Sequence, residues 1–257
     1  MQNALEGKTG LIFGVANKRS IAWGCARSLS QAGMRLALTY VNERMEKSVR
    51  TLAEELPNSL VLPCDVTNPA EVEAVFEEVG NEFVHLDTLV HAIAFANRDD
   101  LQGAFRDTSR DGYMIAQEVS SYSLLALARQ ALPLMEGRDG SIVTMTYLGS
   151  ERVIPNYNVM GVAKAALEAS VRYLASDLGP HGVRVNAISA GPLRTLSASG
   201  VKDFGSMIDH FAERSPLRRN ITAEDVGNAC LFLASPGSRS ITGTTLFVDA
   251  GFHIMGA

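Results

Sequence analysis

Short apolar runs alternate with amphipathic stretches along the whole chain. The runs at 9–14, 35–40, 59–63, 88–95, 141–147, 183–189 and 245–249 read as near-continuous apolar runs, as expected of strands covered on both faces. Between them, apolar residues recur at helical spacing. Ile21, Cys25, Leu29 and Ala32 mark a helix over 20–32. Val72, Val75, Phe76 and Val79 mark another, behind Asn68, which can cap it, and Pro69, which suits its first position. Further helices are expected over 43–56, 110–135 and 157–178. One more starts at Thr222, where Thr222 and Asp225 have capping-box spacing with a shortened acid. Strands separated by helices are repeated βαβ units. The expected fold is α/β: a single domain over 1–257, built on a doubly wound parallel sheet of seven strands with helices on both faces. One stretch breaks the rhythm. Over 191–215, scattered apolar residues are interrupted by Ser197, Ser199, Gly200 and Gly205. Such a stretch after a strand end is a candidate lid, expected at 193–215.

With 257 residues, 46% hydrophobic and 20% charged, the composition is globular and the length suffices for a core without staples. The 23 basic and 28 acidic residues leave a net charge of −5, which argues against a nucleic-acid partner, since that role calls for a basic face. Cys25, Cys64 and Cys230 are scattered and odd in number, so buried thiols are expected, not a disulfide or zinc frame. No run has the roughly 18 apolar residues of a membrane span, and polar residues 1–8 do not read as a signal peptide. A cytoplasmic enzyme or binding protein is the expectation.

In an open parallel sheet, ligands bind beyond the carboxyl ends of the strands. After the first strand, Gly14 turns the chain towards a helix start at Ser20 and Ile21, where free backbone N–H groups can take a phosphate. The GxGxxG fingerprint is missing, because Lys18 and Ser20 stand where later glycines would. The second strand ends without the acid that would bind a ribose 2′-hydroxyl. No basic pair follows Tyr40 to receive a 2′-phosphate either, and Arg44 is the nearest cation. We therefore favour NADH over NADPH. Asp65, after the third strand, either accepts from an adenine amino group or caps the turn before Asn68. Ala92, Ala94 and Ala96 flank Ile93 and let backbone approach a flat ligand.

Tyr147 ends the fifth strand, and Tyr157 and Lys164 follow. On a helix, seven steps of about 100° fall ~20° short of two turns, so Tyr157 and Lys164 share a face about 10.5 Å apart along the axis. From there a lysine can lean back towards the tyrosine. A free phenol, with a pKa of about 10, is a poor acid at neutral pH. A nearby ammonium is expected to lower that value and improve proton donation.

Several motifs occur in order across nearly the whole chain: Gly14-Val15-Ala16 with Ser20-Ile21-Ala22, Cys64-Asp65-Val66, Thr146-Tyr147-Leu148-Gly149, the run 156–165 around Tyr157 and Lys164, the run 184–196, and Val248-Asp249. On these motifs the sequence resembles the short-chain dehydrogenase/reductase superfamily, and within it the bacterial NADH-dependent enoyl-[acyl-carrier-protein] reductases. The resemblance implies a Rossmann-type fold, NADH as cofactor, an enoyl thioester on acyl-carrier protein as substrate, and a homotetramer. The wider superfamily places its lysine four residues after the tyrosine and a serine on strand five. Here Gly161 stands at that lysine position, and the strand ends in Tyr147.

Residue by residue, the resemblance implies that Gly14, Ser20 and Ile21 line the pyrophosphate. Val41 borders the adenosine, Asp65 and Val66 hold the adenine, and Ile93 lies against its ribose. Lys164 bonds the nicotinamide ribose. Leu193, Arg194, Thr195, Leu196 and Ser197 meet the carboxamide and pyrophosphate. Tyr157 hydrogen-bonds the thioester carbonyl, and Tyr147 flanks the acyl chain in a catalytic part left open. Ala96 contacts the thioester, and Leu101, Met160, Phe204 and Met207 form an apolar slot.

An acidic carrier calls for a basic entrance, for which Arg218-Arg219 is a candidate edge. Two other readings stay open: a reductase of carbonyl substrates such as a 3-oxoacyl thioester, and a nucleotide-binding regulator without turnover. The Tyr157–Lys164 spacing and Tyr147 argue against the first.

Overall fold

A computed structural model describes residues 4–195 and 204–256. Along the chain come β1 (Thr9–Phe13), α1 (Ile21–Gln31), β2 (Arg35–Tyr40), α2 (Glu43–Ala53), β3 (Leu60–Pro63), α3 (Pro69–Phe83), β4 (Thr88–His91) and α4 (Arg98–Leu101). They are followed by α5 (Arg110–Gln117), α6 (Ser123–Met135), β5 (Gly140–Thr146), α7 (Asn158–Leu178), β6 (Val183–Ala190), α8 (Phe204–Arg214), α9 (Ala223–Ala234) and β7 (Thr245–Val248).

The strands form one seven-stranded sheet of order β3-β2-β1-β4-β5-β6-β7, parallel at every pairing. The order reverses between β1 and β4, and a crevice opens there at the carboxyl ends. Ile12, Leu38, Val90, Val143 and Ile188 bury one sheet face with Trp23, Leu29, Val49 and Val226. Leu11, Phe13, Leu89, Ile142 and Val185 bury the other with Val75, Val79, Leu127, Leu167 and Val171. Successive strand residues thus enter opposite cores, which is why the runs read as near-continuously apolar. Asn68 caps α3 by accepting from the Ala70 amide, and Thr222 and Asp225 complete a reciprocal capping box on α9. All three cysteines are buried and free. No described helix is long and apolar enough to cross a membrane.

Three elements differ from expectation. β4 stops at His91 because its neighbour β1 ends at Phe13. The Ala92 amide still reaches the Phe13 carbonyl at 3.2 Å. The backbone N–H and C=O of Phe95 then turn to the Ser120 hydroxyl, at 3.0 and 3.1 Å. Ile93 and Ala96 therefore lie on a loop.

The expected helix over 110–135 is α5 and α6 joined by a π turn, Glu118–Tyr122, whose Ser120 and Ser121 are buried. Such turns are rare and collect at functional sites.

The stretch expected to be irregular contains α8. Ile208, Phe211 and Ser215 are buried at helical spacing while Asp209, His210 and Glu213 face outward. Phe211 stacks on Phe252 at 4.8 Å. It also presses on Gly191, where an added Cβ would lie 2.6 Å from the ring.

Candidate active site

At the crevice, Gly14 has φ +98°, and a Cβ there would run into the Ala92 carbonyl. Glycine is what lets the ends of β1 and β4 come this close. The following loop is closed by Ser20, whose hydroxyl accepts from the Ala16 and Asn17 amides at 3.1 and 3.0 Å. Ser48 ties the same loop to α2 by donating to the Ala16 carbonyl at 2.9 Å. Ser20 gives α1 no side-chain cap, so the amides of Ile21 and Ala22 at the start of α1 receive none from it, while those of Trp23 and Gly24 bond the Ser20 carbonyl. An uncapped helix start at a switch point suits a pyrophosphate.

Val41 is exposed beyond β2, while Asn42 caps α2 by accepting from the Met45 amide. Arg44 is exposed. One oxygen of Asp65 accepts from the Thr67 amide and hydroxyl at 2.9 and 2.8 Å, so the turn-capping reading of Asp65 is present in the fold. Val66 and Ile93 are half-buried. Beyond β6, Leu193 packs against the first core, Arg194 is exposed and Thr195 is half-buried. Leu196 and Ser197 lie outside the described residues. The described set fits a dinucleotide: bare amides for phosphate at one end and a flat path of small residues beside it.

The chemical end is built on α7. Lys164 is 4% exposed and donates from Nζ to the Met145 carbonyl at 2.7 Å. Tyr157 precedes α7, and its ring meets that of Tyr147 edge to face, centroids 5.0 Å apart. Lys164 thus bonds the penultimate residue of β5, and the Tyr157 ring packs on Tyr147 just after it. A Cβ at Gly161 would come 2.7 Å from the Gly149 carbonyl oxygen, and one at Gly149 would meet the Tyr157 ring at 2.5 Å. This packing leaves position 161 no room for a lysine. The amine comes instead from Lys164, about one turn further along.

The expected lowering of the Tyr157 pKa is overturned. Burial pushes its phenol well above the ordinary range, and neighbouring Tyr147 and Glu168 push the same way. The main cause is desolvation of a phenolate, which disfavours the charged form. Burial also pushes Tyr147 up to about 12, with a contribution from Asp249, and lowers Lys164 to about 8.

Two groups escaped the sequence reading. Glu168 is 8% exposed and accepts from the Thr146 and Ser150 hydroxyls, each at 2.6 Å. Its signal was a carboxylate on the otherwise apolar buried stripe of Val159, Ala163, Leu167 and Val171. His91 is fully buried, with Nδ1 2.8 Å from the Thr144 hydroxyl and Nε2 2.8 Å from the Ser123 hydroxyl. Ser123 donates to the Val119 carbonyl, so its oxygen receives the Nε2 proton and Nδ1 accepts from Thr144. Burial, aided by the Lys164 charge, lowers His91 to about 3, and the ring is neutral.

Leu101 and Met160 are buried in one apolar cluster with Ala116, Val159 and Ala163, against which Ala96 and Tyr157 pack. A pocket beside it is lined by Phe95, Ala96, Asn97, Arg98 and Asp100, among others. Phe204 and Met207 fall at the start of α8, with side chains outside the described set. Arg219 is tied to Asp225 at 3.1 Å, which weakens the candidate basic edge.

The family model described as Enoyl-(Acyl carrier protein) reductase matches residues 14–253. The protein named Enoyl-[acyl-carrier-protein] reductase [NADH] FabI from Bacillus cereus is 59% identical over 255 residues, covering 98% of this chain and 99% of its own. The crystal structure of the Bacillus cereus enzyme with NADP+ and indole naphthyridinone matches over all of both chains, with TM-score 0.97 and 57% identity. The Anaplasma phagocytophilum enzyme, solved in complex with NAD, matches over 100% of this chain and 98% of its own, with TM-score 0.95 and 47% identity. Sequence and fold agree, and the chain belongs to the enoyl-(acyl carrier protein) reductase family.

Proposed function

We propose that this chain reduces a trans-2-enoyl thioester carried by acyl-carrier protein, with NADH as cofactor and with Tyr157 and Lys164 as its working pair. The observation that supports the reading is that Lys164 bonds Met145 while the Tyr157 ring packs on Tyr147, two residues further along the chain, with Tyr157 also against the apolar cluster of Leu101 and Met160. NADH, when bound, supplies the hydride that reduces C3 of the enoyl group.

The chain's own residues do the rest. Gly14, Ser20 and Ile21 hold the pyrophosphate, Asp65 and Val66 the adenine, Val41 and Ile93 the adenosine flank, and 193–197 the carboxamide end. Lys164 uses one N–H on Met145 and keeps two for ribose hydroxyls. Tyr157 donates to the thioester oxygen, where negative charge gathers during reduction. Its raised pKa keeps the proton on the phenol, so it acts as a stabilising donor, a role whose loss typically costs ~10²–10³ in rate. Tyr147 and Ala96 flank the thioester. Leu101, Met160, Phe204 and Met207 take the acyl chain, each buried CH₂ contributing ~0.8 kcal/mol. The segment 193–215 covers the slot as a lid on this single domain.

Glu43 stands directly before Arg44 after β2, which disfavours a 2′-phosphate and makes NADPH the lesser cofactor. Exposed Tyr113, Met114, Tyr122 and Tyr173, on α5, the π turn and α7, supply an apolar surface for a homotetramer. Buried reduced thiols suit a cytoplasmic location. The protein mixed with NADH and crotonyl thioester is expected to consume absorbance, and with acetoacetyl thioester to leave it. Consumption with acetoacetyl thioester alone favours the carbonyl reductase, and consumption with neither favours the regulator.

A further inference from the structure

We propose that Glu168 is a positioning residue of the reaction: its buried carboxylate both fixes the segment that carries Tyr147 and keeps Lys164 an ammonium. This rests on the reading above, in which Lys164 holds the nicotinamide ribose.

Three hydrogen bonds define the device. Lys164 donates to Met145, and Glu168 accepts from Thr146 and Ser150. α7 therefore grips residues 145–150 at three points. Tyr147 and Gly149, both against the Tyr157 ring, lie between the points of attachment. The two 2.6 Å contacts have the length of hydroxyls donating to a charged carboxylate. The Thr146 hydroxyl cannot relax into water, because Thr146 and Glu168 are both buried, while Ser150 is half-buried.

Lys164 and Glu168 are also four residues apart on one helix, and both are buried. A buried ammonium without a negative neighbour sheds its proton. Burial pulls Lys164 down, and the Glu168 charge opposes it. The other titratable groups facing the pair are His91 from β4, Tyr147 after β5 and Tyr157 before α7. His91 is held neutral, and burial keeps both phenols protonated. Asp249, after β7, acts on Tyr147. Among these groups Glu168 is the anion that acts on Lys164.

The decisive variant is Glu168→Gln, which keeps the size and an acceptor oxygen but loses the charge. The chain has five lysines, so a ¹³Cε-lysine NMR titration of the cofactor-free protein is readily assigned, with Lys164→Met removing the signal in question. In Glu168→Gln the Lys164 titration is expected to fall by about one pH unit. The alkaline limbs of NADH affinity and of kcat should move down with it. Glu168→Asp keeps the charge but retracts the oxygens from Thr146 and Ser150, so its Lys164 titration should stay near wild type while kcat falls. A Lys164 titration unchanged in folded Glu168→Gln, or lowered equally in Glu168→Asp, overturns the proposal. A lowered titration with an unmoved pH dependence of NADH affinity supports the electrostatic role and overturns the ribose assignment instead.

Discussion

The rings of Tyr147 and Tyr157 meet edge to face, with centroids 5.0 Å apart and planes at 76°. The contact is between the rings, so packing and chemistry can be separated at this pair. Tyr157→Phe keeps the ring contact and removes the donor. Turnover of an enoyl thioester is expected to fall ~10²–10³-fold, with NADH affinity nearly unchanged. Unchanged turnover in a stopped-flow assay would remove Tyr157 from the chemistry.

Lys164 predicts a pH effect on binding. Its burial lowers the ammonium to about 8, so the charged donor is present below that pH and lost above it. NADH affinity, followed by fluorescence, should weaken as pH rises through that value. Lys164→Ala should bind NADH weakly at every pH. Wild-type affinity in Lys164→Ala would contradict the ribose role.

Gly161 predicts a steric cost. A methyl there meets the Gly149 carbonyl, a backbone atom with little freedom to retreat. Gly161→Ala should lose about 1–3 kcal/mol in chemical denaturation, in line with overpacked sites elsewhere. Retention of full stability would show that residues 148–150 shift freely, and the account of the displaced lysine would fall with it.

His91 predicts acid sensitivity. Its folded pKa, about 3, lies below the ordinary value of 6.5, so between the two the unfolded chain binds a proton that the folded one does not. Stability from this residue is complete above the higher value and drains away as pH falls towards the lower. His91→Gln should flatten the pH dependence of thermal unfolding across that window. An equally steep slope in the variant would place the acid sensitivity elsewhere.

The proposed lid predicts a change in exchange. Residues 204–214 form a helix joined to the body through Phe211, on Gly191 and Phe252. Their amides should exchange faster in the free protein than with NADH and an acyl analogue bound. Equal protection in both states would count against a cover.

Much of this architecture was legible in one dimension. A strand covered on both faces is apolar at most of its positions, so the central runs showed themselves without neighbours. Asn68-Pro69 and Thr222-Asp225 satisfy helix ends locally. What escaped was set by distant atoms. β4 is cut short by where β1 ends, and the Ser120 hydroxyl, not an adjacent strand, receives the Phe95 backbone. Glu168 reads as a stray charge until Thr146 and Ser150 fold onto it. The direction of the Tyr157 shift needed the tertiary fold most, because spacing counts residues whereas desolvation sums every neighbour that displaces water.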